Sequence, residues 1–422
     1  MAELDIRGGA GGSTIAIDDL AEAAGVLHRC ADALADAGRS LAAVDVHAML
    51  PGQHSPLVRD AWGRLIDAVA VTTDRLAGAA TRATTLAWRS RATSARYAVA
   101  EWEAERRVIA ARLITRGVIG AARDLGRGLG WLHDGTMDLP RGRDVPHCAA
   151  VHVEDIASLM TSQSLLSGHP VVRVIEVPQP DGGSAWIVQI PGTITFSPVA
   201  GEIPHDGTAD LEAMLDRSTV LARSALHVLA QAQADSGRFG EGDPVLLSGH
   251  SLGGLAAMQI ASDEELVRVH GITHVSTAGS PVGQFEPREE VRVLSLEHRQ
   301  DPVTRLDLVA NPDRPNWVTV TRDLPDATGL FGTGGDAHPH GAITYRDTAR
   351  LAAQAAASGS SPSLEEWTAS AAPFFATRPR PGRATPAPTV RDADVRRFQD
   401  EPGTRRAGPL APKPATPPIT CE

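Results

Sequence analysis

The stretch VLLSGHSLGG, Val245–Gly254, places a serine between two glycines in the pattern Gly-x-Ser-x-Gly. An apolar, strand-like run precedes the pattern and an apolar, helix-like run follows it, so the stretch predicts a strand, a sharp turn and a helix. In such a turn the serine has a strained backbone, and its neighbours two residues away must be small, as Gly249 and Gly253 are. The pattern predicts that Ser251 is a nucleophile at the carboxyl edge of a sheet. The alternative is a glycine-rich structural turn.

Strand-like and helix-like runs alternate on both sides of this stretch. VVRVIEV (Val171–Val177) and AWIVQI (Ala185–Ile190) have strand composition and are separated by the turn sequence PDGG. A long amphipathic helix over about 211–232 precedes the serine. The strand-like runs ITHVSTAG, VRVLSLE and NWVTVT follow it, before a last helix at about Tyr345–Ala357. This alternation predicts an α/β domain over residues 133–357, with a mostly parallel sheet covered by helices on both faces.

The first 132 residues have a different periodicity. Leucine recurs every seven residues from Leu20 to Leu41, and apolar residues recur at intervals of three and four from Val58 to Leu86. The segment LPGQHSP, residues 50–56, separates these two periodic stretches. Two amphipathic helices joined by a short turn form an antiparallel hairpin. Residues 1–132 are therefore predicted to be an all-α accessory domain.

The hairpin, over about residues 15–105, resembles the helical WXG100/ESX-type proteins that are exported by type VII secretion. YAVAE, Tyr97–Glu101, fits the Tyr-x-x-x-Asp/Glu signal that follows the second helix of such substrates, whereas the Trp-x-Gly turn is absent because Trp62 directly precedes Gly63. The resemblance implies a secretion partner for the N-terminal helices and export without a signal peptide. The alternative is a plain helical accessory domain.

Two further segments have distinctive compositions. Residues 101–132 alternate apolar side chains with arginines, which predicts either a helix in peripheral contact with a membrane or a connecting helix packed on the next domain. Residues 358–422 are rich in Pro, Ala, Arg and Ser and cannot bury a core. This tail is predicted to be disordered, apart from one short docking helix in LEEWTASAAPFF.

The bulk composition excludes several classes of protein. The 422 residues carry a net charge of −11, which argues against nucleic-acid binding. The three cysteines, Cys30, Cys148 and Cys421, lack the spacing of a disulfide framework or a zinc site. The N-terminus does not read as a signal peptide, and no run of 18 apolar residues predicts a transmembrane helix. We therefore expect a protein that is cytoplasmic or is exported by the type VII route.

A serine nucleophile needs a base, and the base needs an orienting acid; in the α/β-hydrolase order the acid and then the histidine follow the serine. Asp301 lies in the loop after the run VRVLSLE, where the acid is expected. Glu297, at the end of that strand, and Asp307, which could cap or solvate the next segment, are alternatives.

The base is predicted in GDAHPHGAITYRD, a loop that directly precedes the last helix. His340 is the preferred candidate and His338 is the runner-up. His298 comes too early in the order, and His274 lies within a strand, where a structural role is expected. His250, inside the serine turn, is expected to be a packing residue.

Two backbone N–H groups are needed to bind an oxyanion. Leu252, directly after the nucleophile, is predicted to supply one. The other is predicted in the loop PGT, which follows the strand-like run IVQI, with Thr193 as the candidate and Ile194 as its neighbour. The alternative for this loop is an ordinary Pro-Gly turn.

In combination, these motifs make residues 170–355 resemble the class 3 (fungal-type) lipases within the α/β-hydrolases. The resemblance rests on PGT, GHSLGG, TAGSPVG, DPVTRL and HGAITY in this order, while Pro191 and Arg305 replace an arginine and a proline that are common in the family. It implies an α/β-hydrolase fold and the following site: a catalytic triad of Ser251, Asp301 and His340, with Thr193 and Leu252 in the oxyanion hole.

The sequence thus predicts a serine ester hydrolase of lipase or esterase type, acting on a lipid-like or small-molecule ester without a metal or an organic cofactor. Three alternatives remain open. The same site could transfer acyl groups or cleave amides. The protein could be an exported, toxin-like phospholipase. It could also be a secreted interaction protein that uses the α/β domain as a scaffold.

Overall fold

The computed structural model describes residues 4–9, 13–45, 56–128, 136–138, 151–195, 202–215, 218–324, 338–375 and 387–398. The strands are β1 (Leu4–Gly8), β2 (Thr136–Asp138), β3 (Val171–Pro178), β4 (Ser184–Ile190), β5 (Val245–His250), β6 (Ile272–Ala278), β7 (Arg292–His298), β8 (Trp317–Arg322), β9 (Thr389–Asp394) and β10 (Arg396–Phe398). The helices are α1 (Ser13–Ala42), α2 (Pro56–Gly128), α3 (Ile156–Ser164), α4 (Gly207–Met214), α5 (Val220–Asp235), α6 (Leu252–Ala261), α7 (Glu264–His270), α8 (Ala342–Ala357) and α9 (Pro362–Ser370).

The chain divides into two compact units, one of which, Thr14–Arg106, contains α1 and the first part of α2. Small residues lie where these helices pack: Ala31 and Ala87 are buried, and a Cβ added to Gly38 would lie 3.5 Å from the Cβ of Leu76. The predicted N-terminal helical region is confirmed. However, α2 continues without a break to Gly128, so residues 101–128 are not a separate helix.

Two of the sequence features assigned to this region are described only in part. Tyr97 lies on α2 and is exposed, whereas the side chain of Glu101 lies outside the described residues. Within residues 101–132, Val118 and Leu125 are exposed. Among the helices described, none is long and apolar enough to cross a membrane.

The other unit, Met1–Ser13 with Arg107–Glu422, contains an eight-stranded sheet in the order β1-β8-β7-β6-β5-β4-β3-β9. β4 to β8 run parallel, whereas β1, β3 and β9 each pair antiparallel with a neighbour. The predicted α/β class with a mostly parallel sheet is confirmed. Residues 1–132 are predicted to be all-α, but Leu4–Gly8 within them forms an edge strand that pairs with β8. A five-residue strand whose partner lies far away in the sequence has no local pattern from which it could be predicted.

Helices cover both faces of this sheet and create two hydrophobic cores. Successive side chains of a strand point to opposite faces. In β5, Val245 and Leu247 pack in the core with α5 and α6, while Leu246 packs in the opposite core with α3 and α8. Burying each such side chain contributes about 1.5–3 kcal/mol. The near-continuous apolar run of β5 is therefore explained by burial on both faces.

Within residues 358–422, the short helix predicted in LEEWTASAAPFF is present in residues 361–375, whereas the prediction of disorder is wrong for residues 387–398. The first range contains α9, and β9 extends the sheet by pairing with β3. Arg173 of β3 and Asp392 of β9 form a bidentate ion pair of 2.7 Å, with both side chains 0% exposed. The composition of residues 358–422, rich in Pro, Ala, Arg and Ser, indicates disorder, because the buried partner that neutralises Asp392 lies far away in the sequence.

Candidate active site

The carboxyl ends of the parallel strands bring the predicted site residues to one edge of the sheet. Ser251 lies between the end of β5 and the start of α6, with φ 54° and ψ −122°. A positive φ is unusual for a residue with a side chain and costs on the order of 1–3 kcal/mol. The turn is so tight that a Cβ on Gly249 would lie 2.2 Å from the carbonyl carbon of Gly253. The predicted strand, turn and helix are present.

Ser251, His340 and Asp301 form a hydrogen-bonded row. The Ser251 hydroxyl lies 3.0 Å from Nε2 of His340, and Nδ1 of His340 lies 2.8 Å from Oδ2 of Asp301. With a proton on Nδ1, the imidazole donates to the carboxylate and accepts from the serine hydroxyl. Both Ser251 and His340 are 7% exposed, and Asp301 is 0% exposed. This arrangement can move the serine proton to the imidazole and stabilise the resulting positive charge.

The surroundings of Asp301 keep it ionised. Burial raises the pKa of the Asp301 carboxyl, but hydrogen bonds from His340, Tyr345 and the Val303 N–H outweigh burial and leave this pKa below its ordinary value. The Tyr345 hydroxyl donates to Oδ2 at 2.7 Å and the Val303 N–H donates to Oδ1 at 2.9 Å. Gly279 has φ 63°, and a Cβ there would lie 2.8 Å from Cε2 of Tyr345 and 3.2 Å from both Oδ2 of Asp301 and Nδ1 of His340, so glycine is the residue that fits beside this pair.

The alternative acids have other partners. Glu297 accepts a hydrogen bond from the side chain of Asn311 at 2.7 Å, and burial raises its pKa to about 7. Asp307 accepts hydrogen bonds from the backbone N–H groups of Gln284 and Val309, and burial raises its pKa to about 6. Asp301 is therefore the carboxylate that the structure places on His340.

The histidines His338, His250 and His274 make other contacts. His338, the runner-up base, accepts hydrogen bonds through its carbonyl from the Gly341 N–H and the Thr344 hydroxyl, while its Nδ1 is buried without a partner among the described residues. Nε2 of His250 lies 3.0 Å from the carbonyl oxygen of His340, and burial lowers the pKa of His250 to about 3. His274 is hydrogen-bonded to side chains elsewhere.

The loop after β4 lies directly against the serine. A Cβ on Gly192 would be 3.0 Å from the Cβ of Ser251. Within the described ranges, neither the N–H of Thr193 nor that of Leu252 donates to a protein acceptor, whereas the N–H of Ile194 donates to the carbonyl of His205 at 2.8 Å. The N–H groups of Thr193 and Leu252 can therefore bind a ligand, whereas the N–H group of Ile194 is already used.

Asp210 of α4 is a site residue that sequence reasoning missed. Its carboxylate accepts the Thr193 hydroxyl at 3.0 and 3.1 Å. The α4 start is fixed by Asp206, whose side chain caps the Ala209 N–H at 3.0 Å and pairs with the buried Arg397 of β10 at 2.6 Å. The sequence DGTAD contains a helix-capping aspartate, which could have indicated α4 but not its contact with Thr193.

Asp210 also makes the stability of the folded protein depend on pH. Burial raises the pKa of the Asp210 carboxyl to about 7, although the hydrogen bond from Thr193 acts in the opposite direction and lowers this pKa. The folded state therefore holds a proton that an unfolded chain releases near pH 4, and stability falls as the pH rises from about 4 to about 7. We expect Asp210→Asn to raise Tm by several degrees at pH 8 and to change it little at pH 4, as measured by thermal unfolding. An equal Tm difference at both pH values would contradict this interpretation.

Within the described part of the chain, no group of three His, Cys, Asp or Glu side chains is arranged to hold a metal ion. No protein-family model, curated protein or solved structure matches the chain.

Proposed function

We propose that the chain is a serine hydrolase that cleaves carboxylic esters through an acyl-enzyme on Ser251. The observation that carries the proposal is the buried row in which Ser251 contacts His340 at 3.0 Å and His340 contacts Asp301 at 2.8 Å. A row of this geometry at the carboxyl edge of a mostly parallel sheet supports the resemblance to class 3 lipases and to the α/β-hydrolase fold.

The chemistry follows from this arrangement. The Ser251 hydroxyl oxygen attacks the acyl carbon while its proton moves to Nε2 of His340, and the Asp301 carboxylate stabilises the imidazolium. The N–H groups of Leu252 and Thr193 bind the oxyanion of the tetrahedral intermediate. When that intermediate collapses, the alkoxide leaves with the proton of His340. Water then attacks the acyl-enzyme, with His340 again as the base, and releases the carboxylic acid and the free serine.

We propose an apolar, lipid-like acyl group as the substrate class. Leu306 and Leu308, on the loop that follows Asp301, are 54% and 71% exposed. The backbone of Leu308 has φ 57°, which costs on the order of 1–3 kcal/mol for a leucine. These exposed apolar side chains follow Asp301 by five and seven residues in the chain and could contact an acyl chain.

A series of p-nitrophenyl esters tests both parts of the proposal. We expect kcat/KM to rise by about tenfold or more from the acetate to the octanoate ester, because several methylenes then become buried at about 0.8 kcal/mol each. Hydrolysis that is equally fast across the series would overturn the lipid-like class but not the hydrolase. The absence of hydrolysis and of labelling by a fluorophosphonate would overturn the hydrolase itself.

A further inference from the structure

His298 is a buried histidine that belongs neither to the catalytic row nor to the oxyanion loop. It is the last residue of β7, three positions before Asp301, and it is 1% exposed. Its sequence position gave no reason to connect it with the base, because it precedes the acid. Its contacts connect it with both the acid and the base.

One ring nitrogen of His298 fixes the residue next to the base. Nδ1 lies 2.6 Å from the carbonyl oxygen of Pro339, which directly precedes His340. Because a carbonyl only accepts, Nδ1 carries the proton and donates it. Nε2 must then accept, and it lies 2.7 Å from the Thr348 hydroxyl of α8. The Thr348 hydroxyl accepts from Arg322 at 3.3 Å. Its own hydrogen has two acceptors within reach, Nε2 of His298 at 2.7 Å and the Thr344 carbonyl at 3.4 Å, and the shorter distance favours donation to His298.

The ring of His298 also contacts the residue that orients the acid. It stacks on the ring of Tyr345, with centroids 3.9 Å apart and an angle of 10° between the planes. The hydroxyl of Tyr345 is the group that donates to Asp301 at 2.7 Å. Burial lowers the pKa of His298 to about 4, so the ring is neutral near pH 7 and keeps the tautomer that the two hydrogen bonds require.

We propose that His298 is a positioning residue for the reaction: its Nδ1–H fixes the Pro339 carbonyl, and thereby the backbone that sets His340 at 3.0 Å from Ser251 and 2.8 Å from Asp301. The inference rests on the proposed hydrolase function. Proton transfer depends steeply on geometry, and a displacement of about 1 Å can lower a rate by about 100-fold. His298 does not touch the reacting atoms, so its loss should lower kcat and leave KM unchanged.

The test compares His298→Leu with His298→Asn in the full chain, because asparagine places an N–H donor close to the position of Nδ1 and leucine does not. We expect kcat per fluorophosphonate-titrated site to fall by about 10- to 100-fold in the leucine variant and by about threefold or less in the asparagine variant, with KM within about twofold in both. His274→Leu is the matched control, since His274 is also buried, has its pKa lowered by burial to about 4, and makes two side-chain hydrogen bonds away from the site.

The possible results distinguish failure of the inference about His298 from failure of the proposed hydrolase function. If His298→Leu lowers Tm like His274→Leu but keeps the wild-type kcat, or if the asparagine variant is as slow as the leucine variant, the inference is overturned. If His298→Leu does not fold, Thr348→Val decides the question. It removes the donor to Nε2 while leaving His298 in place, and we expect a three- to tenfold fall in kcat; an unchanged kcat would overturn the inference. If the wild type neither hydrolyses esters nor reacts with fluorophosphonate, the proposed function fails and this inference fails with it.

Discussion

Ser251→Ala is expected to lower kcat for short p-nitrophenyl esters by about 10⁵- to 10⁶-fold, while the thermal unfolding of the protein stays close to that of the wild type. The hydroxyl oxygen is the proposed nucleophile, and alanine leaves nothing in its place that can form an acyl-enzyme. The side chain of Ser251 is small and makes one hydrogen bond, to His340, so its removal has little effect on packing. Steady-state kinetics and calorimetry on the same preparation measure both quantities.

Ser248→Ala is the matched control for that result. Ser248 lies on β5, three residues before Ser251, is fully buried, and donates to Gln163 at 3.2 Å. This variant loses a buried hydroxyl of the same kind but should retain kcat within about a factor of three, since the Ser248 hydroxyl is hydrogen-bonded to Gln163 and not to the row. Equal activity of Ser251→Ala and the wild type would contradict the assignment of the nucleophile. Equal loss in both variants would indicate damage to β5 rather than to the reaction.

His340→Ala is expected to have the second-largest effect, a fall in kcat of about 10⁴- to 10⁶-fold, because no other described group is hydrogen-bonded to the Ser251 hydroxyl and able to take its proton. His338→Ala should retain kcat within about tenfold. The His338 contacts that shape the loop are made by its backbone carbonyl, which the substitution leaves in place.

The pair of histidine variants separates the two candidates for the base. Labelling by a fluorophosphonate gives an independent readout, since it requires an activated serine but no turnover. His340→Ala should label at a small fraction of the wild-type rate and His338→Ala at nearly the full rate. The reverse ranking would assign the base to His338 and contradict the hydrogen-bonded row.

The site residues that the sequence predicts are those marked by a pattern in the residues directly around them. Ser251 lies between glycines that the tight turn requires, and Asp301 follows an apolar strand. His340 precedes a helix, and in a parallel sheet the ends of such strands meet at one edge. Local patterns bring these three residues forward as candidates, although they leave Glu297 and Asp307 open as the acid and His338 open as the base.

The parts that sequence reasoning missed depend on contacts between distant segments. Asp210 contacts Thr193 only because α4 returns to the loop after β4, and the ion pair between Arg173 and Asp392 joins segments 219 residues apart. His298 was set aside by its order in the chain, although folding places its ring between the Pro339 carbonyl and Tyr345. A charged or polar side chain can be buried when a partner forms a hydrogen bond or ion pair with it. A single segment of sequence does not contain that partner.

The most direct test of the central claim is to trap the acyl-enzyme and locate it. The wild-type protein is mixed with p-nitrophenyl octanoate, quenched in acid within the first turnover, digested and analysed by mass spectrometry. We expect an added octanoyl group on the peptide that contains Ser251, released over time in neutral buffer and absent from Ser251→Ala. An octanoyl group on another residue, or ester hydrolysis that persists in Ser251→Ala with no adduct on this peptide, would contradict the central claim.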